Sequence, residues 1–304
     1  MSVAPNGDPH EKGHASVVFE RSPETSSPAG GPDRLFAGYI FDLDGTVYLG
    51  DQLLPGSRRL FERLSSLGRE VLFLSNNPTR SPEDYAAKLT RLGIPTSAEQ
   101  VLNTVTTMTS WLVRHHPDAT VFPISEEPLK RSLATAGIRM SEDPTQIDFV
   151  IASYDRAFDY RKLQIAFDAI RTHGRARLIT TNPDRFCPLP GGQGEPDSAA
   201  IIGAVEGCTG VRCEQNTGKP DPYMLDAALE RLGLTVAECV MVGDRLGTDI
   251  RMAIDGGMRS ALVLTGDTTL ETLQASPPDD HPTWVIERID HVLPLVIRTG
   301  GDDA

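Results

Sequence analysis

Residues Tyr39-Ile40-Phe41-Asp42-Leu43-Asp44-Gly45-Thr46 constrain this chain more than any other stretch. Apolar, strand-favouring residues run straight into two carboxylates spaced i, i+2, followed by a Gly-Thr turn. Side chains alternate faces along an extended chain, so Asp42 and Asp44 point the same way if the strand runs to its end. Gly45 permits a sharp exit that a bulkier residue would resist. The expectation is two acids at the carboxyl end of a buried strand, where open α/β sheets carry their chemistry. Such a pair can hold a hard cation through oxygen ligands. It can also divide into a nucleophilic carboxylate and an acid/base partner.

Beyond this strand, helix and strand patterns alternate. The spacing predicts a helix over Pro55–Leu67, a buried strand over Arg69–Leu74, and a helix opened by Ser81-Pro82 and stopped at Gly93. A further helix is predicted over Val101–Arg114, before a break at His115-His116-Pro117-Asp118. A second α/β unit then reads as strands Thr120–Ile124, Asp148–Ala152 and Arg177–Thr181, with helices Pro128–Ala136, Tyr160–Arg171 and Ser198–Val205 and a Gly/Pro-rich loop over Pro188–Pro196. After it the first pattern resumes: an amphipathic helix behind Gly218-Lys219-Pro220-Asp221-Pro222, a buried strand Cys239–Val242, and strands Ser260–Leu264 and Thr283–Ile286. Alternating strands and helices imply parallel strands joined by right-handed crossovers. The predicted architecture is a doubly wound parallel-sheet core with an inserted α/β cap. The core takes residues 33–116 and 214–298, the cap residues 117–213, and residues 1–32 form a disordered tail.

Composition narrows the function. At 304 residues there is room for two domains. No run reaches the roughly 20 apolar residues of a membrane span, and the N-terminus has no apolar core of a signal peptide. The four cysteines lack metal-ligand spacing, which fits a reducing, cytoplasmic compartment. A net charge of −13 argues against nucleic-acid binding. It also means that an anionic substrate must be attracted locally.

Four strand ends supply the means. Asp42 and Asp44 give two acids, Ser75 and Asn76 give donors suited to phosphate oxygens, Lys219 gives a point charge, and Asp244 and Asp249 add acids for a cation. Together they predict phosphoryl transfer to an aspartate, in which charge must be neutralised on the leaving and equatorial oxygens. The residues Phe41-Asp42-Leu43-Asp44-Gly45-Thr46, Ser75-Asn76-Asn77, Gly218-Lys219-Pro220, Gly243-Asp244-Arg245-Leu246-x-Thr248-Asp249 and Thr181-Asn182-Pro183-Asp184 make the chain resemble the haloacid dehalogenase superfamily phosphatases. The resemblance is to the subfamily with a large α/β cap, NagD-type, p-nitrophenyl and phosphoglycolate phosphatases among them.

That resemblance implies Asp42 as the nucleophile that becomes aspartyl-phosphate and Asp44 as the acid, then base. It implies Ser75, Asn76 and Lys219 on the phosphoryl group, and Mg²⁺ on the Asp42 carboxylate, the Asp44 carbonyl and Asp244, with Asp249 in support. It further implies a small phosphorylated metabolite (a sugar, polyol or glycolate phosphate) as substrate, and homodimers paired through the cap. Asp44, giving the metal only its carbonyl, is free to carry a proton.

Selectivity is expected in the cap loop. There Asn182 and Asp184 can meet hydroxyls, Arg185 an anion, and Phe186 with Cys187 can form an apolar wall. Relatives usually follow this loop with Pro-Gly-x-Gly, where this chain has Pro196-Asp197-Ser198-Ala199. A nucleotide or cofactor phosphatase, which would need Phe158, Tyr160 or Phe186 as an aromatic platform, stays open. So does a phosphotransferase. A non-catalytic binding module is disfavoured by the presence of both Asp42 and Asp44.

Overall fold

The structure, a computed structural model, describes residues 31–189 and 193–299. The tail predicted over residues 1–32 lies outside them except for Gly31 and Pro32. Six parallel strands form the core sheet in the order Trp284–Ile286, Arg259–Val263, Cys239–Gly243, Gly38–Asp42, Glu70–Ser75, Val101–Asn103. The first strand in sequence is therefore central. From it the chain winds outward one way, leaves for the cap, and returns to wind outward the other way. The reversal lies between Gly38–Asp42 and Cys239–Gly243, and such a switch point opens a crevice at the strands' carboxyl ends.

Alternation along the central strand explains why both faces are covered. Tyr39 and Phe41 face one side and pack with Phe73 against Leu60, Phe61 and Leu64 of the helix Ser57–Ser66 and Tyr85 and Leu89 of the helix Pro82–Leu92. Ile40 faces the other side, with Leu72, Leu74 and Met241, against Met224, Leu225 and Ala228 of the helix Pro222–Leu232. Helix ends obey their local chemistry. Ser81 Oγ accepts the Asp84 amide at 3.2 Å while Asp84 Oδ2 accepts that of Ser81 at 3.0 Å, a reciprocal cap with Pro82 in the first turn.

The cap sheet is also parallel, in the order Gln215–Asn216, Arg177–Thr180, Phe149–Ala152, Thr120–Ile124, Arg139–Met140. The helices Glu127–Thr135, Tyr160–Phe167 and Ser198–Thr209 pack on it. Trp111 and Leu112 of the helix Thr104–His115 join Leu129, Leu133 and Phe149 in one apolar cluster, so this helix packs against the cap.

Two predicted elements are corrected. Val101–Arg114 is not one helix: Val101–Asn103 is the edge strand of the core, paired with Phe73–Ser75, and the helix starts at Thr104. Asn103 makes the break, since its side chain accepts the Thr106 amide at 3.2 Å and caps the new helix. The loop predicted over Pro188–Pro196 is strand at both ends, where Phe186–Leu189 pairs antiparallel with Gln193–Pro196, and its residues 190–192 lie outside the described ones. No helix among the described residues is long and apolar enough to cross a membrane.

Candidate active site

Asp42 ends the central strand, and the chain then turns back on itself, with Gly45 N donating to Tyr48 O at 2.8 Å. Gly45 has φ +89°, and a Cβ there would stand 2.6 Å from Asp244 Oδ2. At Gly266 a Cβ would stand 1.9 Å from the same oxygen, so both positions require a bare backbone to enclose the Asp244 carboxylate. Asp244 Oδ2 accepts the Asp267 amide at 2.7 Å, and Oδ1 accepts the Thr46 hydroxyl at 3.3 Å.

Lys219, 2% exposed, reaches this point from the residues before the helix Pro222–Leu232. Its Nζ lies 2.5 Å from Asp42 Oδ1 and 2.7 Å from Asp249 Oδ1. Burial alone would favour loss of its proton; the Asp249 and Asp42 carboxylates more than reverse this and hold the ammonium charged above its ordinary range. Asp249 is fixed from its other oxygen by the Arg245 amide at 3.1 Å, and burial pushes it up to about 6 against the pull of Lys219. Burial, Asp42 and Asp249 together lift Asp244 well above the usual carboxylate range.

Oxygens of Asp42, Asp244 and Asp249 all lie within 4.8 Å of one another. Three carboxylates around one ammonium leave an excess of negative charge, and hard oxygen donors at this spacing suit a hard divalent cation.

Asp44 stands apart from this cluster. Burial raises its carboxyl above the usual range, Lys88 opposes the shift, and Asp42 adds to it. The Tyr48 hydroxyl donates to Asp44 Oδ2 at 3.4 Å, and the Lys88 ammonium lies over the Tyr48 ring at 3.5 Å from its centroid. Neither Tyr48 nor Lys88 carried a motif signal, and only the fold brings them to Asp44.

Ser75 and Asn76 lie at the next strand end. Ser75 Oγ donates to Tyr85 Oη at 3.2 Å and accepts the Asn77 amide at 3.2 Å. Asn76 is a fastener between core and cap. Its Oδ1 accepts the Lys219 amide at 2.8 Å, and its Nδ2 donates to Lys219 O at 3.0 Å and to Asp184 Oδ2 at 3.2 Å.

The cap residues divide. Asp184, Phe186 and Cys187 line the cleft over Asp42, and so do Asn77, Asp197, Arg245 and Thr248, which had no assigned role. Asn182 does not face the cleft: it is fully buried, with Nδ2 on Asn76 O at 2.9 Å and Oδ1 on the Asp184 amide at 2.9 Å. Arg185 is exposed and lies outside the cleft lining. The expectation that Asn182 meets substrate hydroxyls is therefore corrected by its burial, while Arg185, expected to meet a substrate anion, is placed outside the cleft lining. Asp184 is partly committed too, with Arg245 Nη1 at 3.8 Å. The Asp197 signal was its departure from the usual turn; it caps the helix Ser198–Thr209, and burial pushes it up to about 6.

Family models described as haloacid dehalogenase-like hydrolase and HAD-hydrolase-like match residues 39–139 and 216–292. The sugar-phosphatase AraL of Bacillus subtilis is 34% identical over 259 residues, which span 85% of this chain and 93% of the relative. The chain belongs to the haloacid dehalogenase-like hydrolases. An acid sugar phosphatase of Staphylococcus aureus is 35% identical over 79% of the chain and 90% of its own length. Among solved structures, the 4-nitrophenylphosphatase of Thermotoga maritima superposes with a TM-score of 0.79 at 31% identity, over 84% of this chain and 96% of that one. NagD of E. coli, at 24% identity and a TM-score of 0.76 over 86% of this chain and all of its own, shares the fold. This hydrolase is a phosphatase with the doubly wound core and inserted cap that its sequence predicts.

Proposed function

We propose that the enzyme hydrolyses the phosphate monoester of a small polyhydroxylated metabolite, a sugar or polyol phosphate, with Asp42 as nucleophile and Mg²⁺ as cofactor. One observation carries the reading most: Asp42 lies between a buried, protonated Lys219 and the carboxylates of Asp244 and Asp249, at the floor of a cleft roofed by the cap. Asp42 attacks phosphorus, the bond to the leaving oxygen breaks, and Asp44 gives that oxygen its proton. Asp44 then takes a proton from water, whose oxygen attacks phosphorus and releases inorganic phosphate from Asp42. Lys219 and the Ser75 hydroxyl hold phosphoryl oxygens. Mg²⁺, held by Asp42 and Asp244 with the Asp44 carbonyl and supported by Asp249, would neutralise phosphoryl charge when bound.

The sugar and acid sugar phosphatase names of the relatives support the substrate class. A nucleotide is less well supported. Of the three aromatic candidates only Phe186 lines the cleft, while Phe158 packs against the cap core and Tyr160 is 79% exposed. A panel of sugar, polyol, glycolate and nucleoside monophosphates, with and without alcohol acceptors, tests the reading. Hydrolysis fastest on the sugar or polyol esters is expected. Preference for nucleotides, or phosphate transfer to the alcohols outrunning hydrolysis, would overturn it.

A further inference from the structure

Core residues of the cleft lining, Asp42, Ser75 and Lys219 among them, address the phosphoryl group common to every monoester, which leaves the cap residues of the lining as the wall for whatever leaves. Asp197 is one of these cap residues. It is 4% exposed, and its Oδ1 accepts the Ser198 amide at 2.5 Å and the Ser198 hydroxyl at 2.9 Å. These neighbours, with the Asn182 side chain, are hydrogen-bond donors rather than cations. Among the described residues Asp197 makes no ion pair, whereas the two cations lining the cleft are already opposed. Lys219 faces Asp42 and Asp249, and Arg245 stands 3.8 Å from Asp184. A leaving group seated against this wall therefore meets a negative charge that nothing nearby cancels, and burial weakens solvent screening of it.

We infer that Asp197 selects the leaving group, accepting hydroxyl hydrogens from a neutral polyol and repelling a leaving group that carries a carboxylate or a second phosphate. The inference rests on the phosphatase reading and deepens it. Recognition of this kind works by exclusion as much as by attraction. A competing account is that Asp197 serves only as the cap of its helix. Substitution separates the two, because Asn caps a helix about as well as Asp while removing the charge, and Ala removes both.

The test compares wild type, Asp197→Asn and Asp197→Ala at pH 7.5 with Mg²⁺ on two substrate pairs. One pair is a hexose monophosphate and a hexose bisphosphate; the other is p-nitrophenyl phosphate and its ring-carboxylated analogue. For Asp197→Asn, the ratio of kcat/KM for the charged member to that for the uncharged member should rise about tenfold in both pairs. An aryl-pair ratio that moves less than about twofold would overturn the role. So would a melting temperature and rates that fall in Asp197→Ala while Asp197→Asn matches wild type on all four substrates. Wild type inert on sugar phosphates but active on aryl phosphates would sink the sugar reading, leaving the aryl pair to decide on Asp197. Wild type inert on every ester would overturn both.

Discussion

Asp42 and Asp44 are two positions apart in sequence, yet their surroundings differ in the way the proposed mechanism requires. Asp42 touches a buried ammonium, whereas Asp44 is buried beside Tyr48, where a carboxyl is more easily kept protonated. Asp42→Asn should lower turnover of p-nitrophenyl phosphate by several orders of magnitude, at about 1.4 kcal/mol for each factor of ten; retention of a tenth of the rate would remove it as nucleophile. Asp44→Asn should cost far more on alkyl phosphates than on p-nitrophenyl phosphate, whose leaving oxygen needs little protonation. Equal losses on both would refute the acid role. Lys219→Met leaves Asp42 and Asp249 without their shared cation, a change that costs about 3–5 kcal/mol when a buried pair is broken. A melting temperature within a degree or so of wild type would contradict that accounting. The placement of the two acids was legible because an apolar run ends on them, and that of Lys219 because Gly218-Lys219-Pro220 opens a helix. Tyr48 and Lys88 were not, since a tyrosine in a turn and a lysine on a helix carry no sign of which acid they will meet.

Elements were legible in proportion to their length and pattern. The central strand and the helices Pro82–Leu92 and Pro222–Leu232 have apolar periodicity and capping residues that declare their limits. Val101–Asn103 has three residues, too few for a period, and it abuts a helix whose pattern swallows it. The hairpin Phe186–Leu189 with Gln193–Pro196 was hidden by Pro and Gly, which ordinarily signal a loop. For the loop that feeds this hairpin, the consequence is a division between residues buried behind the site and residues that line the cleft. Asn182→Ala removes a buried donor to Asn76 and should lower kcat/KM on p-nitrophenyl phosphate as well as on natural esters, because it loosens the residue that holds Lys219. Phe186→Ala changes the cleft wall itself and should reorder a panel of natural esters. Arg185→Ala should leave that order as it is. Reordering by Asn182→Ala, with Phe186→Ala neutral, would reverse the assignment.

At the scale of the whole molecule, two parallel sheets meet over one switch point, and the charges gathered there are what folding has to tolerate. Asp244 sits well above the usual carboxylate range and Asp249 at about 6, in both cases first because they are buried. Between the ordinary carboxylate value and those raised values, the metal-free folded chain holds protons that the unfolded chain has released. The stability these groups contribute is therefore greatest on the acid side and is lost as pH rises through the folded values. In the proposed mechanism a divalent cation on Asp42 and Asp244, with Asp249 in support, would do at neutral pH what protons do at low pH, and would have to displace those protons to bind. Mg²⁺ should thus raise the melting temperature at pH 7.5, by an amount corresponding to about 2.7 kcal/mol when its concentration is a hundred times Kd. The gain should shrink toward pH 5, and EDTA should abolish it together with turnover. The check is thermal unfolding with Mg²⁺ or EDTA at both pH values, in wild type and in Asp244→Asn. The variant lacks one of the three carboxylates and should lose most of the gain at pH 7.5. An Mg²⁺ effect equal at both pH values, or undiminished in Asp244→Asn, would place the ion elsewhere on this acidic surface and leave the cluster around Lys219 without its cation.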